Sequence, residues 1–196
     1  LRFGAIMSGD MTKYGLPKPP HAPGQSHPVQ SDQIRVQLEA GAIAVQPGIE
    51  RLDGDRVYFV DGTSVEADLI VWATGYRVTF PFFDEDFLAA PDNSLPLWKR
   101  TIHPDHQNLF FIGLLQPVGA VMPLAQVQAE WVAEIINGEV QLPAQQHIRS
   151  RMKDEHERNL KQFYASPRHT MEVDFDNFIW DMKRERKAGR ARAQAR

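Results

Sequence analysis

The sequence contains no cysteine among its 196 residues, so thiol nucleophiles, dithiol redox pairs and Cys-ligated zinc are excluded together. No apolar run approaches the roughly 18 residues that cross a membrane. The opening Leu1-Arg2-Phe3 has neither a signal-peptide core nor an initiator Met, which implies Met removal or a start inside a longer protein. Net charge is small, since 22 Lys and Arg stand against 25 Asp and Glu for a formal −3. With 42% hydrophobic and 24% charged residues, the composition excludes a disordered, collagenous or disulfide-stapled chain. Ser8, Ser26 and Ser31 occur near His21 and His27, but no nucleophile-elbow pattern accompanies them, which argues against a hydrolase. At roughly 150 residues per domain, the length amounts to one domain and a remainder.

What is present begins with a Pro-rich stretch over 8–30, where Pro17, Pro19, Pro20, Pro23 and Pro28 forbid a continuous helix or central strand. A short helix is expected from Asp32 to about Ala40, with Ser31 as N-cap and Gly41 beyond its end. The pairs Asp53-Gly54 and Asp61-Gly62 then separate three period-two segments, Ile49–Leu52, Arg56–Val60 and Ser64–Glu66, in the manner of tight hairpins. Two continuously apolar runs, Leu69–Ala73 and Leu109–Leu114, read as strands buried on both faces. After the second, a helix is expected from about Pro123 to Asn137, with Leu124, Val127, Trp131 and Ile135 on one face and Gly138 closing it. Between the runs, residues 77–107 carry Phe80, Phe82, Phe83, Phe87 and Trp98, enough apolar area to pack as a lid or wall. Helices at about 144–164 and 176–187 complete the chain, and no internal repeat is present. Residues 183–196 hold seven Lys or Arg and one Glu, a local +6 that leaves −9 elsewhere.

His103-Pro104-Asp105-His106 places two histidines three apart, but Pro104 prevents a shared helical face and no third ligand has fixed spacing, so they read as loop histidines. Asp84-Glu85-Asp86 reads as a solvated acidic turn rather than an acid–base pair. The basic tail lacks interleaved aromatics and reads as a frayed helical terminus rather than a nucleic-acid contact. Ala73-Thr74-Gly75-Tyr76 is different: glycine at the carboxyl end of a parallel strand lets backbone approach a cofactor closely.

Leu69-Ile70-Val71-Trp72-Ala73-Thr74-Gly75-Tyr76, Phe80-Pro81-Phe82-Phe83, Asn108 to Leu114 and Gln116-Pro117-Val118-Gly119-Ala120 together resemble the C-terminal half of flavin-containing monooxygenases. Tyr14 to Pro19, His27-Pro28 and Ser31-Asp32 resemble the segment ahead of that half, so the resemblance runs from about residue 10 to about 185. It implies an α/β fold, the C-terminal part of a flavoprotein with two Rossmann-like dinucleotide-binding domains, one for FAD and one for NADPH. On that mapping residues 1–72 end the NADPH-binding domain and include the β-hairpin element. Residues 73–143 return to the FAD-binding domain, and 144–196 form a charged helical extension. The glycine-rich turns that cradle each pyrophosphate, and the family's Phe, Gly and His fingerprint, are absent from this sequence. The chain is therefore expected to be the C-terminal portion of a larger enzyme, holding neither cofactor alone.

The resemblance implies FAD and NADPH as cofactors, and O2 and a small molecule as substrates. One oxygen atom passes through a flavin C4a-hydroperoxide to an amine or sulfide, or beside a ketone. No catalytic side chain or metal is then required, because the cofactor carries the reactive atom. Thr74 and Gly75 are expected against the cofactor, with Tyr76 bracing the crossing. Gln116, Pro117 and Gly119, leading into the helix near Pro123, are expected to face the flavin's electron-rich edge. The Phe80–Phe87 loop is expected to exclude water. No nucleic acid and no transmembrane segment are expected, the location is expected to be cytoplasmic, and the oligomeric state stays open, a homodimer included. Two alternatives remain. A pyridine-nucleotide disulfide reductase conflicts with the missing cysteines and with Gly113-Leu114-Leu115 where Gly-Asp is usual. An inactive interaction module derived from a monooxygenase half is compatible with the composition.

Overall fold

The computed structural model describes residues 10–20, 31–84, 86–117, 119–163 and 170–195. Residues 8–9 and 21–30 of the expected Pro-rich loop lie outside them. The described chain divides between Gly75 and Tyr76 into two compact units.

In the first unit a 3-10 turn, Met11–Tyr14, is capped by Asp10, whose Oδ1 accepts from the Thr12 N–H at 3.0 Å. Helix α1 (Gln33–Glu39) follows. Its Ncap position is Asp32, but the capping oxygen is Ser31 Oγ, which accepts from the Gln33 N–H at 3.2 Å. The hairpins form where the sequence places them: β1 (Ile49–Asp53), β2 (Arg56–Phe59) and β3 (Ser64–Glu66) make an antiparallel sheet in the order β1-β2-β3. Asp53 pairs with Arg56, leaving Gly54 and Asp55 as the turn, with Gly54 at φ 60°. At the second turn Asp61 Oδ1 accepts from both the Thr63 N–H (3.0 Å) and its hydroxyl (2.7 Å), the side-chain closure that favours Asp there. Central β2 buries Val57 and Phe59.

The run Leu69–Ala73 is not a strand. It has no ladder partner among the described residues, and Leu69, Val71 and Trp72 are exposed. Apolar continuity marks a segment fit for a sheet interior, yet an interior strand exists only where neighbours take its N–H and C=O groups. The described chain provides none.

The second unit is built on helices. Helix α2 (Val121–Ile136) buries Leu124, Gln128, Trp131, Val132 and Glu134, and α3 (Gln145–Gln162) buries Ile148. Helix α4 (Phe175–Gln194) starts at Asp174, whose Oδ1 accepts from the Asn177 N–H at 2.9 Å. A parallel pair of short strands, β4 (Gln116–Pro117) and β5 (Glu172–Val173), joins Gln116 to Glu172 and Pro117 to Val173. Trp98, Ile102, Trp131, Val140, Ile148 and Met182 form the core, with the Trp98 and Trp131 rings edge to face at 5.3 Å. Leu109–Leu114 is also not a strand: Phe110 makes one bridge to Ile102, and Gly113 at φ 82° turns the chain away. No helix among the described residues is long and apolar enough to cross a membrane.

The basic tail differs most from expectation, because α4 runs to Gln194 instead of fraying after 187. Arg186 bonds both Glu130 (2.8 Å) and Glu134 (2.6 Å), Arg190 also bonds Glu134, and Arg192 donates to the Gln141 carbonyl at 2.9 Å. Gly189 lets α4 sit close to 140–141, since a Cβ there would lie 2.5 Å from Val140 Cγ1.

The Arg186 hydrogen bond holds Glu134 below the ordinary glutamate value of 4.5, while partial burial opposes that shift. A carboxylate with a depressed folded pKa stabilises fully above its ordinary value, and the contribution is lost as pH falls from 4.5 through the folded pKa. Glu134→Gln is therefore expected to cost about 1–2 kcal/mol at pH 7. Its urea midpoint should converge with that of the parent in strong acid; an equal deficit at both pH values would refute the ion-pair account.

Candidate cofactor-facing site

The sequence-expected site residues fall on both sides of the Gly75–Tyr76 division and are described unit by unit. In the first unit Thr74 and Gly75 end the apolar run, both exposed, with Gly75 at φ 91° and no atom within 4 Å of where a Cβ would stand. The backbone is thus open at the point where the sequence reading needs room.

In the second unit Tyr76 is 96% exposed, but its backbone is fixed. Asn93 Nδ2 donates to the Tyr76 carbonyl at 3.1 Å, and Asn93 Oδ1 accepts from the Val78 N–H at 2.8 Å. Asn93 achieves this at φ 60°, a conformation Asn tolerates better than most residues. Gln116 and Pro117 are set by β4, where the Gln116 N–H donates to the Met171 carbonyl at 2.9 Å and Pro117 is fully buried. Gly119 is exposed at φ 136°, which only glycine adopts freely, and a Cβ there would meet Phe175 Cδ2 at 3.8 Å. Val118 lies outside the described residues.

Beyond Gly119 the chain enters α2. Its Ncap, Ala120, has no side-chain acceptor, and no acid occupies the first turn. Pro123 falls at the third helical position rather than the first, where its missing N–H still costs no helix bond. The start of a 16-residue helix, its positive end, therefore has no side-chain cap and no acid in its first turn. This end suits the electron-rich edge of a flavin, where negative charge grows on reduction, so the residues present fit that group.

The phenylalanines of the aromatic loop contact one another, with Phe80, Phe83 and Phe87 partly buried and Phe82 exposed. Phe80 lies 5.5 Å from Phe111, Phe82 4.8 Å from Phe83, and Phe83 5.0 Å from Phe87. Phe87 stacks on His103 at 5.5 Å. His103 is a structural residue: its Nδ1 accepts from the Asp105 and His106 N–H groups, both at 3.2 Å, and burial pushes its pKa below the ordinary histidine value. In the acidic turn, the Asp84 carbonyl accepts from the Phe87 and Leu88 N–H groups, while Glu85 lies outside the described residues.

Sequence reasoning missed the residue that organises this region. Gln128 is fully buried; its Oε1 accepts from the Gly113 N–H at 2.9 Å, and its Nε2 donates to the Arg100 carbonyl (3.1 Å) and Thr101 Oγ1 (2.9 Å). The available signal was a polar residue four after Leu124, on the face that helical periodicity assigns to the core.

Residues 8–188 match the family model described as flavin-binding monooxygenase-like, and the chain belongs to that family. It is 31% identical to flavin-containing monooxygenase 5 of Mus musculus over 169 residues, 85% of this chain and 31% of that protein. It is 30% identical to dimethylaniline monooxygenase [N-oxide-forming] 2 of Pan troglodytes over 175 residues, 88% of this chain and 32% of that protein. The solved S-allyl-L-cysteine S-oxygenase of Allium sativum aligns at a TM-score of 0.56 with 25% identity, over 74% of this chain and 36% of that one. The chain thus spans about a third of the length of these relatives.

Replacing Gln128 by Leu keeps volume but strands the Gly113 N–H and the Arg100 carbonyl in the interior. A loss of about 2–4 kcal/mol is expected, read from urea denaturation; a loss below about 1 kcal/mol would show that these groups find other partners.

Proposed function

We propose that this chain forms part of an NADPH- and FAD-dependent monooxygenase that moves one oxygen atom from O2 onto an amine or sulfide, or inserts it beside a ketone. The observation that carries the reading is the coincidence of family membership over residues 8–188 with an uncapped, acid-free start of α2 behind Gly119. The printed names of two relatives, an N-oxide-forming monooxygenase and an S-oxygenase, support the amine and sulfide branches.

When bound, reduced FAD supplies the oxygen-activating chemistry. The residues of this chain position, shield and polarise. Gln116 and Pro117 set the approach of the chain, and Gly119 brings its backbone and the α2 dipole behind it to the flavin edge. Thr74 and Gly75 give the cofactor a close backbone approach, and Tyr76 braces the crossing. The Phe80–Phe87 wall keeps water from the reacting oxygen. In this reading residues 1–72 close the NADPH-binding domain, 73–143 belong to the Rossmann-like FAD-binding domain and 144–196 extend it. A cytoplasmic protein acting on a small molecule, alone or as a homodimer, completes the proposal.

The protein expressed from its native gene is expected to retain flavin and to couple NADPH oxidation and O2 uptake to oxygenation of a tertiary amine or dialkyl sulfide. Gly119→Val, which forces a branched side chain to φ 136°, should weaken FAD binding by about tenfold or more. Gln116→Ala should weaken it less. Unchanged FAD affinity and NADPH coupling in both variants would overturn the site, and protein devoid of flavin and turnover would favour an interaction module.

A further inference from the structure

A cleft lies within the second unit, between α3, α4 and residues 92–100, with a volume of about 860 Å³, within the usual range for small-molecule sites. Met152, Leu160, Phe163, Phe178 and Trp180 give it an apolar lining. Its charges come from all three walls, and most are matched to one another. Lys99 Nζ bonds Glu155 Oε1 at 2.9 Å and lies 4.0 Å from Asp181, while Arg158 bonds Asp181 at 3.3 Å. Asp174 is held by the start of α4 and by the Gln162 amide at 3.2 Å. Asp92, Lys153 and His156 also line the cleft and are exposed.

Arg100 is the exception. It lines the cleft half-buried, and among the described residues its guanidinium makes no hydrogen bond or ion pair; Glu155, already bonded to Lys99, acts on it only as a nearby charge. Burial pushes its pKa down, the mark of a desolvated cation lacking a counterion. Lys99 and Arg100 are also consecutive non-glycine residues in left-handed backbone, at φ 49° and 55°. Such strain persists only where the surroundings impose it, and here Gln128 grips the Arg100 carbonyl from behind.

We propose that this cleft binds a small organic carboxylate with an apolar body. The carboxylate pairs with the Arg100 guanidinium, whose fork matches two oxygens, and the body lies on Met152, Leu160, Phe178 and Trp180. One half-buried cation without an acid partner, beside paired charges, suits a monoanion. The apolar lining favours an organic anion over inorganic phosphate. The site is independent of the oxygenation reading, because every residue in it belongs to the 92–182 region and none is assigned there to flavin.

Calorimetric titration of the intact protein with octanoate, 1-octanol and inorganic phosphate tests this. Octanoate should bind saturably, octanol about tenfold more weakly or worse, and phosphate should fail to compete. Arg100→Gln should lose about tenfold in octanoate affinity, and Leu160→Trp, at an exposed lining position, should obstruct binding without touching the guanidinium. No saturable octanoate binding, equal binding of octanol, displacement by phosphate, or an unchanged affinity in Arg100→Gln would each overturn the proposal. If Arg100→Gln fails to fold, the octanoate and octanol comparison on the unaltered protein decides.

Discussion

The side-chain amide of Gln128 is the contact on which the second unit depends. One amide satisfies the N–H of Gly113 and the turn at Arg100–Thr101, joining two irregular segments to the buried face of α2. The two segments bond each other, as from the Phe111 N–H to the Thr101 carbonyl, but the partly buried Gly113 N–H and Arg100 carbonyl are met by Gln128, and leaving such groups unpaired costs more than the modest net gain from an ordinary hydrogen bond. The turn at 99–101 places Lys99 and Arg100 at the cleft, and the turn at Gly113 leads into Gln116 and Pro117. A single residue of α2 therefore sets the approach to both the helix start and the cleft.

Charge performs the second fastening. Helix α4 is rich in Arg and Lys, and in isolation its self-repulsion would work against helix formation. Against Glu130, Glu134 and the Gln141 carbonyl the same residues become interhelical contacts, several of them partly buried, where ion pairs are screened less than on an open surface. Close approach at Gly189 brings Val140 under the helix. A composition that suggests a free polycation is thus half absorbed within the unit through Arg186, Arg190 and Arg192, leaving Lys183, Arg184 and Lys187 exposed.

Local rules were legible in the sequence wherever the physics is local. The β1–β3 meander follows from Gly54 and Asp61-Gly62, because turn geometry fixes register within a few residues. The α2 face follows from Leu124 and Trp131, and α3 begins one residue from its expected start. The failures all involve partners distant in sequence. Leu69–Ala73 has the composition of an interior strand, but whether it becomes one is decided by neighbours, not by its own residues. Arg186 and Glu134 are 52 residues apart, and nothing in a basic run announces a particular carboxylate. The helix behind Gly119 was readable from periodicity, whereas the assignment of Gly119 to a cofactor came from the family resemblance. Gln128 was hidden because its polarity broke the pattern used to find the core.

The polarity of α2 follows from the same arrangement. Its last turn contains Glu134, a negative charge at the negative end of the helix dipole, which alone would be unfavourable. Arg186 and Arg190 reverse that field by lying against the carboxylate. The opposite end receives no such treatment: Ala120 makes no side-chain cap bond, no acid sits in the first turn, and Met122 stands exposed. The helix is therefore neutralised where it meets α4 and left electropositive where it follows Gly119. Because packing at Trp131 and Val132 fixes the far end against the core, that electropositive end cannot relax by unwinding the whole helix. Its cost is held in place by that packing.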